Sequence, residues 1–358
     1  MSDTTKQQLN FHHQRTPGKE SAERLTAARA GNQAEFSNLT EPHRRELLAH
    51  CYRMLGSLQE AEDQVQETLM RAWRRLDTYE GRAPLRAWLY KIATNACLDA
   101  LDRRPRRTLP QQLHPAADPH EVLSPPVSEP IWLKPFPDNL ISPSNTSPEA
   151  RYESRESITL AFMIALQSLP PRQRAVLILR DVLDWQASEV AELLEVTVSA
   201  VNSMLHRARA TLEKHYHSRS RETIRDALPA QVTNELLDRY VRAWEEADVD
   251  RLVSLLKEEA RFAMPPMAGW FQGRSAIRAF ISTTILAGEG RGRWHLQPVH
   301  VNAQHGFAWY RRHDDGDTYQ AYAVQVLIFD GDLLAEVITF GYPALFPFFG
   351  LPLEEETS

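Results

Sequence analysis

The sequence predicts a multidomain protein: two all-α bodies, the second ending in a helix-turn-helix, followed by a C-terminal α+β domain. Three observations carry that expectation. Residues 169–212 alternate apolar and polar positions in two helical runs around a tight turn. Residues 108–147 are dense in proline, including SPPVSEP and KPFP, and read as an extended tether between helical bodies. After Gly292 the apolar period changes from helical to strand-like.

The 358 residues, 42% apolar and 25% charged, hold material for two or three buried cores. No apolar run approaches the length of a membrane span. The opening MSDTTKQQLNFHHQRTPGKE is polar and has no secretory h-region. A cytoplasmic protein without membrane contact is therefore expected. The two cysteines, Cys51 and Cys97, sit in apolar helical contexts and read as core residues of a reducing compartment. Neither they nor the scattered histidines make a metal-ligand spacing, so no metal or cofactor is expected. The net charge of −6 divides unevenly. From Arg221 onward 20 acidic residues oppose 13 basic ones, which leaves residues 1–220 close to neutral with their basic residues clustered.

In chain order, residues 1–20 read as a disordered tail, 21–107 as a helical domain and 108–147 as the proline-rich linker. Residues 148–219 form the second helical domain, 226–346 the α+β domain and 347–358 a C-terminal tail. In the first domain SLQEAEDQVQETLMRAWRRL is an amphipathic helix. Leu58, Ala61, Val65, Leu69, Ala72 and Leu76 form its buried stripe, with Asp63, Gln66 and Glu67 on the exposed side, either a solvated face or a docking face for a basic partner. The next piece, GRAPLRAWLYKIATNACLDALDRRPRR, sets Arg82, Arg86, Lys91, Arg103, Arg104, Arg106 and Arg107 against Asp99 and Asp102, with Trp88 and Tyr90 interleaved. Cations that hold phosphates beside rings that stack on bases suit single-stranded nucleic acid.

In the second domain a helix bearing Val190, Leu193 and Leu194 meets a turn at Glu195-Val196, and Thr197 caps the helix that follows. Val201, Leu205, Ala208 and Leu212 form its buried stripe. Ser199, Asn202, Ser203, His206 and Arg209 fall on or near the opposite side, where they can reach base edges or phosphates in a major groove. In the third domain helices are expected at 234–247, 249–256 and 275–285, the last capped by Ser275. Strands follow in RWHLQPV, FAWYRR, YQAYAVQVLIF and LLAEVITF, with turns at Asp315-Gly316 and Asp330-Gly331. The closing GYPALFPFFGLPLE is apolar enough to pack back on the body.

EDQVQETLMRAWRRLDTYEGRAPLRAWLYKIATNACLDALDRRPRR resembles region 2, and SLPPRQRAVLILRDVLDWQASEVAELLEVTVSAVNSMLHRARATL region 4, of an alternative sigma factor of bacterial RNA polymerase. The group resembled is the extracytoplasmic-function (ECF) branch of the sigma-70 family, and the two segments cover about half the chain. The resemblance implies that Asp63, Gln66 and Glu67 face the clamp helices of the largest subunit of core RNA polymerase. It implies that Arg82, Arg86, Trp88, Lys91, Asn95, Arg103 and Arg104 melt and capture the −10 promoter element, an extruded base being held by the loop around Arg82–Arg86. The helix with Ser199, Asn202, Ser203, His206, Arg207 and Arg209 would read the −35 element, with this region docked on the polymerase flap. Such factors commonly carry basic residues where this chain has Asn202 and Met204, so His206, Arg207 and Arg209 take more of the phosphate binding. The linker would thread the polymerase cleft. Polymerase, promoter DNA and an anti-sigma factor are the partners implied.

Residues 230–345 resemble the SnoaL-like branch of the nuclear-transport-factor-2 (NTF2) cone fold. A small-molecule ligand pocket is placed at Phe262, Met264, Trp270, Trp294, Trp309 and Phe340. These side chains offer no base, and no carboxylate pair or Ser-His-Asp arrangement accompanies them, so catalytic residues are not expected. His295, His300 and Glu336 are the isolated polar candidates. The domain's acidic balance points to regulation in cis, by shielding the basic −10 or −35 surface or by tuning polymerase binding. Two other readings use the same residues: a helix-turn-helix regulator that works without polymerase, and an enzyme or small-molecule sensor acting through the cone domain.

Overall fold

The computed structural model describes residues 19–102, 104, 106–122, 125–126, 132–141, 157–223, 230–288, 291–312 and 318–356. The first body packs α1 (Lys19–Arg29), α2 (Gln33–Leu55), α3 (Leu58–Arg74) and α4 (Leu85–Leu101). Asn32 starts α2 by accepting from the backbone N–H groups of Ala34 and Glu35 at 3.0 and 3.2 Å. Gly56 ends it at φ 70°, and an added Cβ there would meet Leu133 and Arg107 at 3.0 and 3.1 Å. That glycine lets the linker close on the α2–α3 corner, where the Lys134 N–H donates to the Gly56 carbonyl at 3.0 Å. The α3 stripe is buried as expected at Leu58, Ala61, Val65 and Ala72, with Leu76 buried in the following 3₁₀ turn and Leu69 half-buried.

The linker departs from the expected semi-rigid tether. It holds a short α5 (Pro110–Leu113) and a 3₁₀ turn at Asp138–Leu140, and Leu109, Trp132, Leu133 and Phe136 are buried. Proline excluded a long helix but not packing. Each of these apolar side chains contributes about 1.5–3 kcal/mol when removed from water.

The second body comprises α6 (Leu160–Gln167), α7 (Pro171–Leu177) with a wide turn at Ile178–Val182, α8 (Ala187–Leu194) and α9 (Val198–Thr223). α10 (Ala230–Glu245), α11 (Val249–Ser254) and α12 (Arg274–Phe280) cover one face of a seven-stranded sheet. Its strands are β1 (Leu256–Ala263), β2 (Trp270–Gln272), β3 (Trp294–Val301), β4 (Gln304–Arg312), β5 (Thr318–Asp330), β6 (Leu333–Phe340) and β7 (Glu354–Glu356). The order is β2-β1-β6-β5-β4-β3, with β7 on β5, and β1 runs parallel to β6 while the other pairs are antiparallel. Leu256 opens β1 rather than closing the helix before it, and β1, β2 and β7 were not expected from the sequence. Gly273, not Ser275, occupies the cap position of α12. The β5–β6 turn falls at Gly331-Asp332, one residue beyond the expected Asp330-Gly331 because Asp330 still pairs with Leu333, whereas Asp315-Gly316 and nearly all of the 1–20 tail lie outside the described residues.

Alternation along β4 sends Phe307 and Trp309 to the helix-covered core and Ala308 and Tyr310 to the other face. That second face continues into the same apolar core as both helical bodies and the linker, through Val301, Val324, Val326, Ile338 and Phe340. The C-terminal segment packs back as expected, burying Leu345 and Phe346.

Candidate nucleic-acid interface

On α4, Trp88, Lys91 and Asn95 recur at helical spacing and share one face. With Ile92 of α4 and Arg71, Arg75 and Thr78 around the end of α3, they line a cleft of about 130 Å³. The Trp88 ring leans on Tyr79 at 5.2 Å. Arg71 and Arg75 were missed from the sequence, although two arginines four residues apart at the end of a helix place both on one side. Glu67 and Asp99 hold Arg71 at 2.6 and 3.0 Å.

The other arginines expected here do not line this cleft. Arg82 is exposed and pairs with Glu80 at 2.6 Å. Arg86 turns to Glu46 at 2.7 Å and lies over the Tyr90 ring at 4.9 Å. Burial would raise the Glu46 carboxyl, but hydrogen bonding by His43 and the Arg86 charge outweigh it and hold the pKa below its usual value. Arg104 reaches Glu60, which also binds Arg107 at 2.6 Å. Arg103 lies outside the described residues.

The helix-turn-helix takes the expected form. Glu195 ends α8 in the left-handed region at φ 56°. The Thr197 hydroxyl then accepts from the Ala200 N–H at 3.1 Å and starts α9. Val201, Leu205 and Ala208 are buried, and Ser199, Asn202, Ser203, His206, Arg207 and Arg209 are exposed. Arg209 is engaged at both ends of its fork by Asp181, at 2.8 and 2.7 Å. On α3, Asp63 and Gln66 are exposed, while Glu67 is half-buried beside Arg71.

The α4 cleft and the helix-turn-helix body meet. Lys91 Nζ stands 3.4 Å from Glu195 Oε1, and Tyr90 packs edge-on against Trp185 at 5.5 Å. Deeper in, the buried Arg174 donates to the carbonyls of Met54, Gln167 (2.9 Å) and Leu169 (3.1 Å) and to the Gln167 side chain (2.7 Å). Arg53, equally buried, donates to the Ser157 carbonyl and hydroxyl at 3.2 and 2.9 Å. Burial pushes Arg53 down to about 10 and Arg174 to about 9, which leaves both charged at neutral pH. Buried cations with no carboxylate among these partners are a costly way to hold an interface.

The C-terminal domain joins this contact at the β3–β4 turn, where Asn302 and Ala303 both have positive φ, 52° and 56°. The Asn302 side chain is fully buried. Its amide donates to the Tyr52 hydroxyl (3.0 Å) and the Ile158 carbonyl (2.7 Å), and its oxygen accepts from the Phe136 N–H (2.9 Å). One side chain thus ties the first body, the linker and the segment leading into the second body. Asp138 and Gln304 extend the tie, to the Ala303 N–H at 2.8 Å and the Leu160 N–H at 3.2 Å.

The six residues placed in a ligand pocket do not converge. Phe262, Trp294 and Trp309 are core residues under the helices, where Trp244 packs 4.4 Å from Trp309, and Met264 packs against the same core. Trp270 spends its indole N–H on the His114 carbonyl at 2.8 Å. Phe340 faces the opposite core. Sheet alternation separates residues that hydropathy groups together. Glu336 is buried and binds Arg261 at 3.1 Å and Gln111 of α5, a structural contact with the linker. Among the described residues no group of three or more His, Cys, Asp or Glu could hold a metal ion, and no helix is long and apolar enough to cross a membrane.

Residues 39–107 match Sigma-70 region 2, residues 160–212 match Sigma-70 region 4, and residues 237–337 match the SnoaL-like domain. Over 320 residues the chain is 46% identical to ECF RNA polymerase sigma factor SigG of Mycobacterium tuberculosis, covering 89% of this chain and 84% of that protein. It is 27% identical over 191 residues to ECF RNA polymerase sigma factor SigW of Bacillus subtilis, covering 53% of this chain and 94% of that one. The crystal structure of the M. tuberculosis extracytoplasmic function sigma factor SigJ shares the fold, with a TM-score of 0.54 at 23% identity over 89% of this chain and 99% of that chain.

Proposed function

The chain belongs to the extracytoplasmic-function sigma factors of RNA polymerase, and we propose that it rests in a closed form, held in cis by its SnoaL-like domain, that must open on the polymerase. In this reading the exposed α3 side, with Asp63 and Gln66, docks on core RNA polymerase. The cleft at Trp88, Lys91 and Asn95 captures the unpaired −10 strand by stacking and phosphate contact. Arg82, Arg86 and Arg104 join it only by exchanging Glu80, Glu46 and Glu60 for phosphates. The face of α9 with Ser199, Asn202, Ser203, His206 and Arg207 reads the −35 element from the major groove, and Arg209 contributes once it leaves Asp181.

The observation that carries the closed-form reading is the contact of Lys91 with Glu195. Two promoter elements about 25 base pairs apart lie roughly 85 Å apart along B-form DNA, at ~3.4 Å per pair. A −10 cleft and a −35 helix touching each other cannot both stand on their elements. Linker, Asn302 and the sheet face all hold that closed contact, which supports a regulatory rather than catalytic role for the C-terminal domain. Its interior is filled by aromatic side chains, which favours this reading over a ligand pocket at the six residues first considered.

The test is transcription from defined start sites by core RNA polymerase with the full chain, compared with a variant lacking residues 226–358. Initiation should require the chain, and the truncated form should start more transcripts at limiting concentration. No dependence on the chain refutes the polymerase role. Equal yields at every salt concentration refute the cis control.

A further inference from the structure

Val198 is the first residue of α9, immediately after the Thr197 cap, and 43% of its surface is exposed. Three and seven residues on, Val201 and Leu205 point inward at 0% and 6%. Val198 therefore stands at the edge of the buried stripe, with one side open to water. Asn202 follows one helical turn later on the exposed side, and Ser199 lies beside it. The leading end of a recognition helix is the part that meets base edges. At this end the chain presents a branched apolar group and an amide, not the cations that would dominate a phosphate contact.

Major-groove chemistry assigns these groups different targets. An apolar side chain has one base feature to pack against, the C5 methyl of thymine, while Asn suits the adenine N6/N7 edge. Partial exposure of an isoleucine- or valine-type residue on a solvated helix needs no explanation by itself. Its place, one residue past the cap and one turn from an exposed Asn, is the reason to give it a partner.

We propose that Val198 is a specificity residue of this sigma factor and packs on a thymine methyl of the −35 element, so that α9 favours an A·T pair at its leading end. This rests on the reading of α9 as the −35 helix. His206 and Arg207 then hold phosphates further along α9, and sequence choice lies with the uncharged end.

The experiment uses the full chain with core RNA polymerase on a promoter it transcribes. Each thymine of the −35 element is replaced in turn by deoxyuridine, which removes only the methyl. One replacement should weaken holoenzyme binding by about fourfold, the value of one buried methylene-sized group. Val198→Ala should bind the thymine and deoxyuridine forms of that position equally, with an unchanged melting temperature. Val198→Thr, which keeps one methyl and the same shape, should fall between. The proposal is overturned if wild type ignores every methyl, or if Val198→Ala discriminates as wild type does. Hydroxyl-radical footprints on the same samples separate the layers. Absent protection at −35 sinks the helix reading and the proposal with it, whereas protection without coupling sinks the Val198 contact alone.

Discussion

Replacing Asn302 by Ala should unlatch the chain. The substitution leaves the Phe136 N–H and the Ile158 carbonyl buried without the partners they have at 2.9 and 2.7 Å. The Tyr52 hydroxyl keeps its bond to the Lys134 carbonyl at 2.8 Å. Each orphaned buried group costs about 1–3 kcal/mol. Alanine also tolerates the left-handed backbone less well than Asn, by about 1 kcal/mol, but the β3–β4 turn bears that cost in both forms. In an open form these groups reach water, so the loss falls on the closed state alone. Taking the low end, the two orphaned groups together, about 2 kcal/mol, shift the closed-to-open ratio by roughly thirtyfold. Small-angle scattering of the free variant should show expansion. Promoter-specific transcripts at limiting chain should rise until core polymerase is saturated. Asn302→Asp keeps an acceptor for Phe136 but sets a buried carboxylate against the Ile158 carbonyl, so it should open the chain at least as far as Ala. A variant with unchanged circular dichroism, unchanged scattering radius and unchanged transcription would refute the reasoning.

Glu195→Gly relieves a left-handed residue and frees Lys91, so the melting temperature should rise by the equivalent of about 1 kcal/mol and −10 single-strand affinity should increase; a lower melting temperature would contradict this. Trp88→Ala should weaken binding of the unpaired −10 strand by about tenfold or more, the loss of one stacked base at ~1–3 kcal/mol, while the −35 footprint persists; equal affinities by fluorescence anisotropy would remove Trp88 from the site. His50 donates to or accepts from Thr94 at 2.9 Å in a fully buried place, and burial first, then Arg53 and Arg86, push its pKa down to about 3. The unfolded chain binds that proton near pH 6.5, so this part of the stability is complete above pH 6.5 and is lost on acidification. At pH 5 about 2 kcal/mol should be gone. Urea unfolding at pH 7 and pH 5 checks it: His50→Gln should lose that share of the pH dependence, and equal dependence would contradict the assignment.

Much of this was legible in local chemistry. The Thr197 cap, the α9 stripe and the α3 stripe follow from spacing alone, because a helix fixes which residues share a face. The long hairpin strands were visible for the same reason. Strand β1 was not, since LKEEARFA shows little alternation and gains its place by pairing with β6. The linker misled because proline reports on helix formation and not on whether Trp132 or Phe136 finds a core. Phe340 and Trp309 looked alike in hydropathy and were parted by strand register. Asn302 carried no signal at all: Asn-Ala is a weaker turn pair than Asn-Gly, and its three partners come from residues 52, 136 and 158. The arginines around α4 were visible, but their carboxylate partners Glu46, Glu60 and Glu80 were assigned no part, because which acid meets which base is settled by tertiary packing.

The most direct measurement is the distance between the two proposed DNA readers, from spin labels at Asp99 on α4 and Glu192 on α8, both exposed. In the free chain the pair should give one short distance, consistent with Lys91 touching Glu195. Bound to core RNA polymerase on promoter DNA, the same pair should move apart by tens of ångströms, toward the roughly 85 Å that separates the elements. A free chain already spread to the bound distance, or a productive complex that keeps the short one, would contradict the closed resting form.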